Sequence, residues 1–269
     1  MTFTMGPALL FCPADRPERF QKAADRADAV IIDLEDAVAP DAKPAAREAV
    51  ADSGLDPDRT IVRVNPAGSA DFTADLAAVA AGGFHTVMLA KASGTADLVE
   101  LRDLRVVALC ETPAGVLAAP AMASVDCVVA LMWGAEDLVG ALGGSSSRTP
   151  DGGYRDVARY ARASVLLAAG AHDIAAIDAV HLDIADVDGQ RAEATDAAAS
   201  GFAATACIHP SQVPVVREAY RPGDEELAQA RELLAAASGR DGVFTHGGRM
   251  IDAPVLRQAE RVVARAARR

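Results

Sequence analysis

Short apolar runs alternate with alanine-rich, charged segments along most of the chain, and this alternation limits the possible folds more than any other feature. Eight runs rich in Val, Ile, Leu and Ala are predicted strands: 8–14, 29–37, 60–66, 85–91, 105–113, 127–137, 176–184 and 203–210. The segments between them, such as 43–51 and 212–220, carry charges at helical spacing. Strands that alternate with helices form parallel sheets, so the chain is predicted to be an α/β protein.

Eight such units in the first 221 residues predict a closed (β/α)8 barrel, the TIM barrel. The alternative, an open doubly wound sheet, usually carries a glycine-rich phosphate loop after its first strand. The chain has "CPADRPERF" there instead, which favours the barrel. Residues 222–269 leave the pattern and are predicted to form a C-terminal helical extension, too short for an independent domain, that packs on the barrel or on a neighbouring subunit.

The charge balance argues against two classes of partner. The net charge is −12 and the isoelectric point is about 4.8, and such a surface repels nucleic acid and anionic membranes. No apolar run approaches the roughly 20 residues that span a bilayer, and the N-terminus lacks the pattern of a signal peptide. We therefore expect a cytoplasmic protein.

The four cysteines of the chain are far apart in sequence and are predicted to be small buried hydrophobic residues.

Polar side chains stand at the end of nearly every predicted strand. In a barrel of this kind the carboxyl ends of the strands meet at one mouth, where catalysis occurs. The convergence therefore predicts an active site formed from Asp15, Arg16, Asp33, Glu35, Asp36, Arg63, Asn65, Lys91, Glu111, Glu136, Asp137, Asp183 and His209.

Two of these carboxylates are candidate metal ligands. Glu111 interrupts the apolar strand "VVALCETPAG", and Asp137 ends the next predicted strand. Two oxygen ligands on adjacent strands suit Mg²⁺, which retains waters and takes further ligands from substrate. Alternatively, each carboxylate pairs with Arg63 or Lys91 in a buried ion network. No pair of histidines has the spacing of a zinc site.

The cations have two interpretations each. Arg63, flanked by valines, suits a carboxylate, a phosphate or a developing enolate oxygen, or else it pairs with Glu35 or Asp36. Lys91 is either a Schiff-base lysine or, more simply, an ion-pair partner of the acidic cluster.

Three further features allow both a functional and a structural role. His209 precedes a proline and is a candidate general base or a residue that fixes a turn. Asp252 is well placed to cap the last helix, with Pro254 in its first turn. The glycine- and serine-rich stretch 143–156 suits either a mobile flap over the active site or a solvated loop.

Seven motifs, in this order along the chain, resemble those of the citrate lyase beta-subunit-like proteins. These proteins are relatives of malyl-CoA and citramalyl-CoA lyases within the phosphoenolpyruvate/pyruvate-binding barrel superfamily. The resemblance covers essentially the whole chain, through "LFCPADRPERFQKAA", "VIIDLEDAVAPDAKPAAR", "VRVN", "ALCETPAG", "WGAEDL", "CIHPSQ" and "GRMIDAPVLRQAERV".

The resemblance implies a role for each matched residue. Glu111 and Asp137 would bind Mg²⁺, and Arg63 would contact the substrate and the enolate, ordered by Glu35 and Asp36. Asp252 would transfer a proton in the mouth of a neighbouring subunit, which implies a homotrimer or hexamer. The matched CoA-binding region contains Arg16, Arg19 and Lys22 and, in part, His209.

The implied activity is that of a Mg²⁺-dependent 3-hydroxyacyl-CoA lyase. Citramalyl-CoA, malyl-CoA or 3-hydroxy-3-methylglutaryl-CoA would be cleaved to acetyl-CoA and an oxo acid, with reverse condensation or thioester hydrolysis as related reactions. Two alternatives stay open. One is a metal-dependent aldolase that cleaves 2-oxo-hydroxy acids without CoA, and the other is a citrate lyase beta subunit that needs partner subunits.

Overall fold

Eight parallel strands form a closed barrel in the computed structural model, which describes residues 3–238 and 242–267. Each strand pairs with the next, and β8 pairs with β1 to close the ring. This confirms the predicted (β/α)8 barrel. The strands are β1 Ala8–Pro13, β2 Ala29–Asp33, β3 Thr60–Val64, β4 Thr86–Leu89, β5 Arg105–Cys110, β6 Val128–Trp133, β7 Ala175–Asp178 and β8 Ala204–Cys207.

Helices connect the strands on the outside of the ring. A 3-10 helix, Thr95–Leu101, lies between β4 and β5, and two α-helices lie between β6 and β7. The α-helices of this part of the chain are α1 Phe20–Arg26, α2 Lys43–Ala51, α3 Phe72–Ala81, α4 Pro113–Ala123, α5 Ala135–Ala141, α6 Asp156–Ala171, α7 Val187–Ser200 and α8 Gln212–Tyr220.

Several strands end earlier than the sequence predicts. β5 stops at Cys110, because Thr112 caps α4 by accepting a hydrogen bond from the Gly115 N–H at 3.0 Å and Pro113 begins the helix. β6 stops at Trp133, and Asp137 lies in the first turn of α5. The prediction that Asp137 ends a strand was therefore wrong. Acidic side chains are favoured in a first helical turn, where they interact with the positive end of the helix dipole.

The barrel interior is filled by aliphatic side chains of moderate size, as the low aromatic content of 4% requires. Alternate residues along each strand point inward. The N-terminal residues Phe3 and Met5 pack against this core ahead of β1. The core contains Leu9, Ile31, Ile61, Met88, Val107, Leu109, Val129, Met132 and Ile177.

The chain divides into two compact units, the first ending at Val216 and the second beginning at Arg217. The sequence prediction placed this division slightly later, between residues 221 and 222. In the second unit, α9 (Asp224–Ala237) packs against α10 (Ala253–Ala267), and Arg265 donates a hydrogen bond to Glu226 at 3.0 Å. Between these helices, β9 (Phe244–His246) and β10 (Arg249–Ile251) form an antiparallel hairpin.

Two further findings concern the cysteines and the helices. The four cysteines are buried and free, as predicted. In the two described ranges, no helix has both the length and the apolar character needed to cross a membrane.

Candidate active site

A cavity of about 340 Å³ lies at the carboxyl ends of the strands in the first unit. Most of its wall is apolar, but five charged residues also line it. They come from β2, from β3, from the residue after β5 and from the first turn of α5, so the closed barrel brings together residues that are far apart in sequence. These charged residues are Asp33, Arg63, Glu111, Glu136 and Asp137.

Arg63 is held in a fixed orientation by Asp33. Its Nε donates to Asp33 Oδ1 at 2.6 Å, and its Nη2 donates to Asp33 Oδ2. Asp33 and Arg63 lie opposite each other in the β2–β3 register, so the pairing is a direct consequence of the sheet. Glu35 adds an ion pair at 3.2 Å, and the Phe11 ring lies 5.0 Å from the guanidinium carbon. Burial alone would lower the pKa of Arg63, but the bonds to Asp33 raise it, so the side chain stays charged.

The turn after β2 is organised around the same aspartate. Asp33 Oδ1 accepts a hydrogen bond from the Glu35 N–H at 2.9 Å, and Asp33 Oδ2 accepts one from the Ala37 N–H at 3.3 Å. Glu35 and Asp36 were predicted to order Arg63. Glu35 does contact Arg63, whereas Asp36 bonds to Lys91 at 3.0 Å and Asp33 is the main partner of Arg63.

Lys91 is an ion-pair partner, as the simpler interpretation proposed. Its ammonium bonds to Glu35 and Asp36 and lies 3.8 Å from Asp137. Burial alone would lower the pKa of Lys91, but the bonds to these carboxylates raise it above the ordinary value. A protonated amine held by carboxylates is a poor nucleophile, which argues against Schiff-base chemistry.

The backbone at Lys91 also fixes Glu111. Lys91 has a φ of +51°, a left-handed conformation that is unusual for a residue other than glycine and costs about 1 kcal/mol. In this conformation its N–H donates to Glu111 Oε1 at 3.0 Å. Local strain in the loop after β4 therefore serves to orient a carboxylate at the end of β5.

Glu111 is a buried carboxylate in a negatively charged environment. Its side chain is only 3% exposed. Burial, followed by the charge of Asp137, raises the pKa of Glu111 to about 8, although Arg63 partly opposes the shift. The negative charges of Glu111 and Asp137, close together in a buried position, favour a bound cation that would neutralise both.

The donor set of this pair fits Mg²⁺. Within the described ranges, no group of three or more His, Cys, Asp or Glu side chains is arranged to hold a metal ion. Two carboxylates at one cavity, Glu111 and Asp137, provide hard oxygen ligands and leave most of an octahedral shell to water and substrate. These two residues would hold the ion.

Gly134, the residue between β6 and α5, is required by the close approach of Glu111. A Cβ added at Gly134 would lie 2.8 Å from Glu111 Cβ and 3.1 Å from Glu111 Oε2. The Gly134 φ of −130° suits any residue, so steric contact alone excludes a side chain. We predict that Gly134→Ala displaces the Glu111 carboxylate and weakens Mg²⁺ binding by about 10- to 100-fold, measured by titration calorimetry.

Gly140, in the same helix α5, provides the matched control. A Cβ at Gly140 meets no heavy atom within 4 Å. Gly140→Ala should leave Mg²⁺ affinity unchanged and stabilise the helix by up to about 1 kcal/mol. Unchanged Mg²⁺ affinity in Gly134→Ala would show that Glu111 does not bind the ion from this position.

Three residues predicted to bind substrate lie outside the cavity lining. Arg16 and Lys22 are exposed near the end of β1, and Arg16 lies 3.9 Å from Asp15. His209 is exposed, and its Nδ1 lies 2.7 Å from Ser211 Oγ. The neighbouring Ile208, rather than His209, lines the cavity. The contacts of His209 correspond to the turn-fixing role, one of the two interpretations that its sequence allowed.

Asp252, in the second unit, caps α10. Its Oδ1 accepts a hydrogen bond from the Val255 N–H at 3.2 Å, and its carbonyl accepts one from the Leu256 N–H at 3.1 Å. These are the contacts expected of an N-cap residue, as the position before "AP" indicates. The proton-transfer role implied by the resemblance stays a prediction.

Asp178, at the end of β7, is a polar residue of the barrel that was not among the predicted site residues, because the predicted strand 176–184 has Asp183 at its polar end. Asp178 accepts hydrogen bonds from Trp133 Nε1 at 2.6 Å and from Arg162 Nη2 at 2.9 Å. Asp183 instead lies in the following loop, where it accepts a hydrogen bond from the Ala185 N–H at 3.0 Å. The hydrogen bond to Asp178 therefore fixes the orientation of the Trp133 indole at the cavity wall.

Comparison with known proteins relates this geometry to a family. Residues 8–210 match the family model described as HpcH/HpaI aldolase/citrate lyase. A citrate lyase subunit beta-like protein of Mycobacterium tuberculosis is 57% identical over 261 residues, which cover 97% of this chain and 96% of that protein. The mitochondrial citramalyl-CoA lyase of Mus musculus is 29% identical over 290 residues, covering 95% and 84% of the two chains.

Solved structures agree with these relationships. The crystal structure of the protein CitE from Mycobacterium tuberculosis, in complex with magnesium, acetoacetate and coenzyme A, has a TM-score of 0.93 at 57% identity and covers 98% of each chain. A citrate lyase beta subunit from Mycobacterium tuberculosis, complexed with oxaloacetate and magnesium, has a TM-score of 0.80 at 59% identity and covers 81% of this chain and 98% of that one.

The barrel, the carboxylates beside a fixed arginine, and the family match over residues 8–210 lead to one assignment. The chain belongs to the HpcH/HpaI aldolase/citrate lyase family and is a citrate lyase beta-like carbon–carbon lyase.

Proposed function

We propose that this chain is a Mg²⁺-dependent 3-hydroxyacyl-CoA lyase that releases acetyl-CoA and an oxo acid. The observation that carries the proposal is the placement of Glu111, Asp137 and the fixed guanidinium of Arg63 at one cavity. The relative solved with magnesium, acetoacetate and coenzyme A supports the same combination of metal, oxo acid and CoA.

The metal ligands and Arg63 have separate roles in the reaction. Mg²⁺ held by Glu111 and Asp137 would polarise the hydroxyl and carboxylate oxygens of the substrate. Arg63, oriented by Asp33 and Glu35, stabilises the negative charge that develops on the thioester oxygen as the carbon–carbon bond breaks. Because its partners already fix it, the guanidinium needs little reorganisation in the transition state.

Asp252 of a neighbouring copy is assigned to move one proton: its carboxylate would accept the proton of the substrate hydroxyl as the carbon–carbon bond breaks, and would then donate it to the enolate carbon to give acetyl-CoA. The support for this role is the match of "RMIDAP" to the family motif. The role requires an assembly, for which we propose a homotrimer or a hexamer. Arg16, Arg19 and Lys22 are the cations assigned to the phosphates of CoA; the side chains of Arg16 and Arg19 are 54% and 62% exposed.

The charges of the cavity favour an oxo acid with one carboxylate. Of the described residues that line the cavity, Arg63 is the only cation, and it is already paired with Asp33 and Glu35. A second substrate carboxylate would face excess negative charge without a partner, which is costly in a partly buried site. Apolar side chains, in contrast, can contact a small alkyl group; they are Phe11, Leu109, Met132, Val180 and Ile208. We therefore rank citramalyl-CoA, which yields pyruvate, first.

A panel of CoA esters tests this ranking. With saturating Mg²⁺, we expect kcat/KM for citramalyl-CoA to exceed that for malyl-CoA by about tenfold, because one methyl group contributes roughly 1–3 kcal/mol. Citryl-CoA and 3-hydroxy-3-methylglutaryl-CoA should be poorer substrates. In the same assay Asp252→Asn, which keeps a capping side chain, should fold normally and turn over slowly. A preference for citryl-CoA would contradict the single-carboxylate assignment.

The relative solved with oxaloacetate and magnesium favours a second candidate, a citrate lyase beta subunit that acts on citryl-CoA. This candidate predicts that the purified chain is inactive alone and gains activity with partner subunits. An aldolase that works without CoA predicts turnover of free 2-oxo-hydroxy acids and none of CoA esters. Assays of the chain alone on both substrate classes separate these candidates from the autonomous acyl-CoA lyase.

A further inference from the structure

The stretch 143–155, between α5 and α6, folds back on itself. Arg148 and Tyr154 form an antiparallel bridge. The Thr149 N–H donates to the Gly153 carbonyl, and the Arg155 N–H donates to the Ser147 carbonyl, both at 2.8 Å. The segment that the sequence suggested as a mobile flap or a solvated loop is therefore a bonded hairpin, here called the wall hairpin.

The wall hairpin is fastened to α7 through Arg148. The guanidinium of Arg148 donates to both carboxylate oxygens of Glu193 and stacks on the Tyr154 ring, 4.1 Å from its centroid. The buried His181 also contacts Glu193, with 2.9 Å between His181 Nδ1 and Glu193 Oε2. Burial alone would raise the pKa of Glu193, but its bonds to His181 and Arg148 hold it below the ordinary value, so the carboxylate stays ionised.

Two contacts connect the wall hairpin to the reaction cavity. Tyr154 packs edge-on against Trp133, which lines the cavity, with 5.2 Å between the ring centroids. Ser147, which is 1% exposed, donates a hydrogen bond from Oγ to Glu136 Oε1 at 2.5 Å. Glu136 also lines the cavity and directly precedes Asp137 in the first turn of α5.

We propose that Ser147 and Glu193 are positioning residues for the metal site. Glu193 locks Arg148 and with it the wall hairpin, and Ser147 holds the Glu136 carboxylate so that only Glu111 and Asp137 are free to bind the cation. The restraint matters because Mg²⁺ must keep coordination positions open for the substrate. A released Glu136 would fill one of them.

The lock is tested by the fluorescence of Trp133, the only tryptophan in the chain. In Glu193→Ala we expect the acrylamide quenching constant of Trp133 to rise by about twofold or more, because loosening the wall hairpin exposes the indole. Asp188→Asn, which removes an exposed carboxylate from the same helix, is the control and should quench like the wild type. Equal quenching in all three proteins would overturn the lock.

The restraint on Glu136 is tested by Ser147→Ala, which removes one hydroxyl. We expect this variant to bind Mg²⁺ about tenfold more tightly than the wild type, because a third carboxylate becomes available, while kcat falls and KM changes little. The variant Ser147→Ala/Glu136→Gln should return to the wild-type Mg²⁺ affinity. Damage to the fold would only weaken Mg²⁺ binding, so tighter binding in Ser147→Ala cannot come from misfolding. Unchanged or weaker Mg²⁺ binding would overturn the proposal.

The inference rests on the proposed Mg²⁺ site, but its two main readouts need no substrate. Trp133 quenching and Mg²⁺ calorimetry are measured on the isolated protein. If every CoA ester fails as a substrate while Ser147→Ala binds Mg²⁺ more tightly, the proposed reaction is wrong and the positioning role stands. The opposite pattern, in which citramalyl-CoA is cleaved and Ser147→Ala binds Mg²⁺ like the wild type, removes the positioning role alone.

Discussion

Replacement of Glu111 by glutamine is expected to abolish metal-dependent turnover and, at the same time, to stabilise the metal-free protein. Glutamine keeps the shape of the side chain but removes a charged metal ligand. Because Lewis-acid activation by a metal contributes several kcal/mol to catalysis, kcat/KM should fall by about 10³-fold or more. Initial rates of acetyl-CoA release with saturating Mg²⁺ measure this loss.

The gain in stability follows from the raised pKa of Glu111, about 8 in the folded metal-free protein against an ordinary value of 4.5. Below pH 4.5 the group is protonated in both states, so it has no effect on their balance. As the pH rises towards 8, the unfolded chain loses this proton while the folded chain retains it, and the wild type loses stability. At pH 7 the free energy of unfolding of Glu111→Gln should exceed that of the wild type by on the order of 2 kcal/mol.

Urea unfolding in EDTA, at pH 5 and pH 7.5, measures this difference and its growth with pH. The control is Glu48→Gln, which changes an exposed carboxylate on α2 and should alter neither stability nor rate. A residue with a purely structural role would lose stability on substitution. A destabilised but active Glu111→Gln protein would therefore contradict the assignment of Glu111 as a metal ligand.

The second large effect is expected at Arg63. Arg63→Lys keeps the positive charge but loses the two parallel hydrogen bonds to Asp33, which a lysine cannot reproduce. We expect kcat/KM to fall by about 10²- to 10³-fold, the usual effect of removing a fixed donor to a developing oxyanion. The loss should appear mainly in kcat, because the donor acts most strongly on the transition state.

Arg63→Ala separates catalysis from stability. Removal of the cation leaves Asp33, which is 2% exposed, without its main partner. A buried pair that loses one member costs about 3–5 kcal/mol, so this variant should unfold at a much lower urea concentration than Arg63→Lys. Arg59→Lys is the control, because Arg59 precedes β3 at the opposite end and bonds only to backbone carbonyls among its described contacts. If Arg63→Lys retained wild-type kcat, the oxyanion role would be wrong.

Local patterns were sufficient to predict the barrel. Each barrel strand is a buried run rich in aliphatic residues, and amphipathic segments such as α2 and α8 stand between the strands, so the two periodicities distinguish most elements. The bounds of α2 and α8 agree with the predicted segments 43–51 and 212–220. Strand ends were less predictable, because the residues that follow β6 suit a strand and a helix start equally well. The acidic pair Glu136–Asp137 was the available signal for a first helical turn.

The site was predictable where a charge interrupts an apolar strand, as at Glu111 and Arg63. The sequence could not show which of several neighbouring carboxylates pairs with Arg63, because that depends on the register of the strands. Asp33, Glu35 and Asp36 are close in sequence, and only the β2–β3 pairing shows that Asp33 lies opposite Arg63. The lock between Arg148 and Glu193 joins positions 45 residues apart through a hairpin and a helix, and no local pattern reveals such a contact.

The central claim, that metal held by Glu111 and Asp137 supports cleavage of an acyl-CoA, is tested most directly by one assay. The purified chain is incubated with citramalyl-CoA, and acetyl-CoA and pyruvate are quantified with Mg²⁺, with EDTA, and after Mg²⁺ is restored. The account predicts equal amounts of the two products, no turnover in EDTA and full recovery when Mg²⁺ returns. Turnover that persists in EDTA, with borohydride trapping the substrate on Lys91, would contradict it.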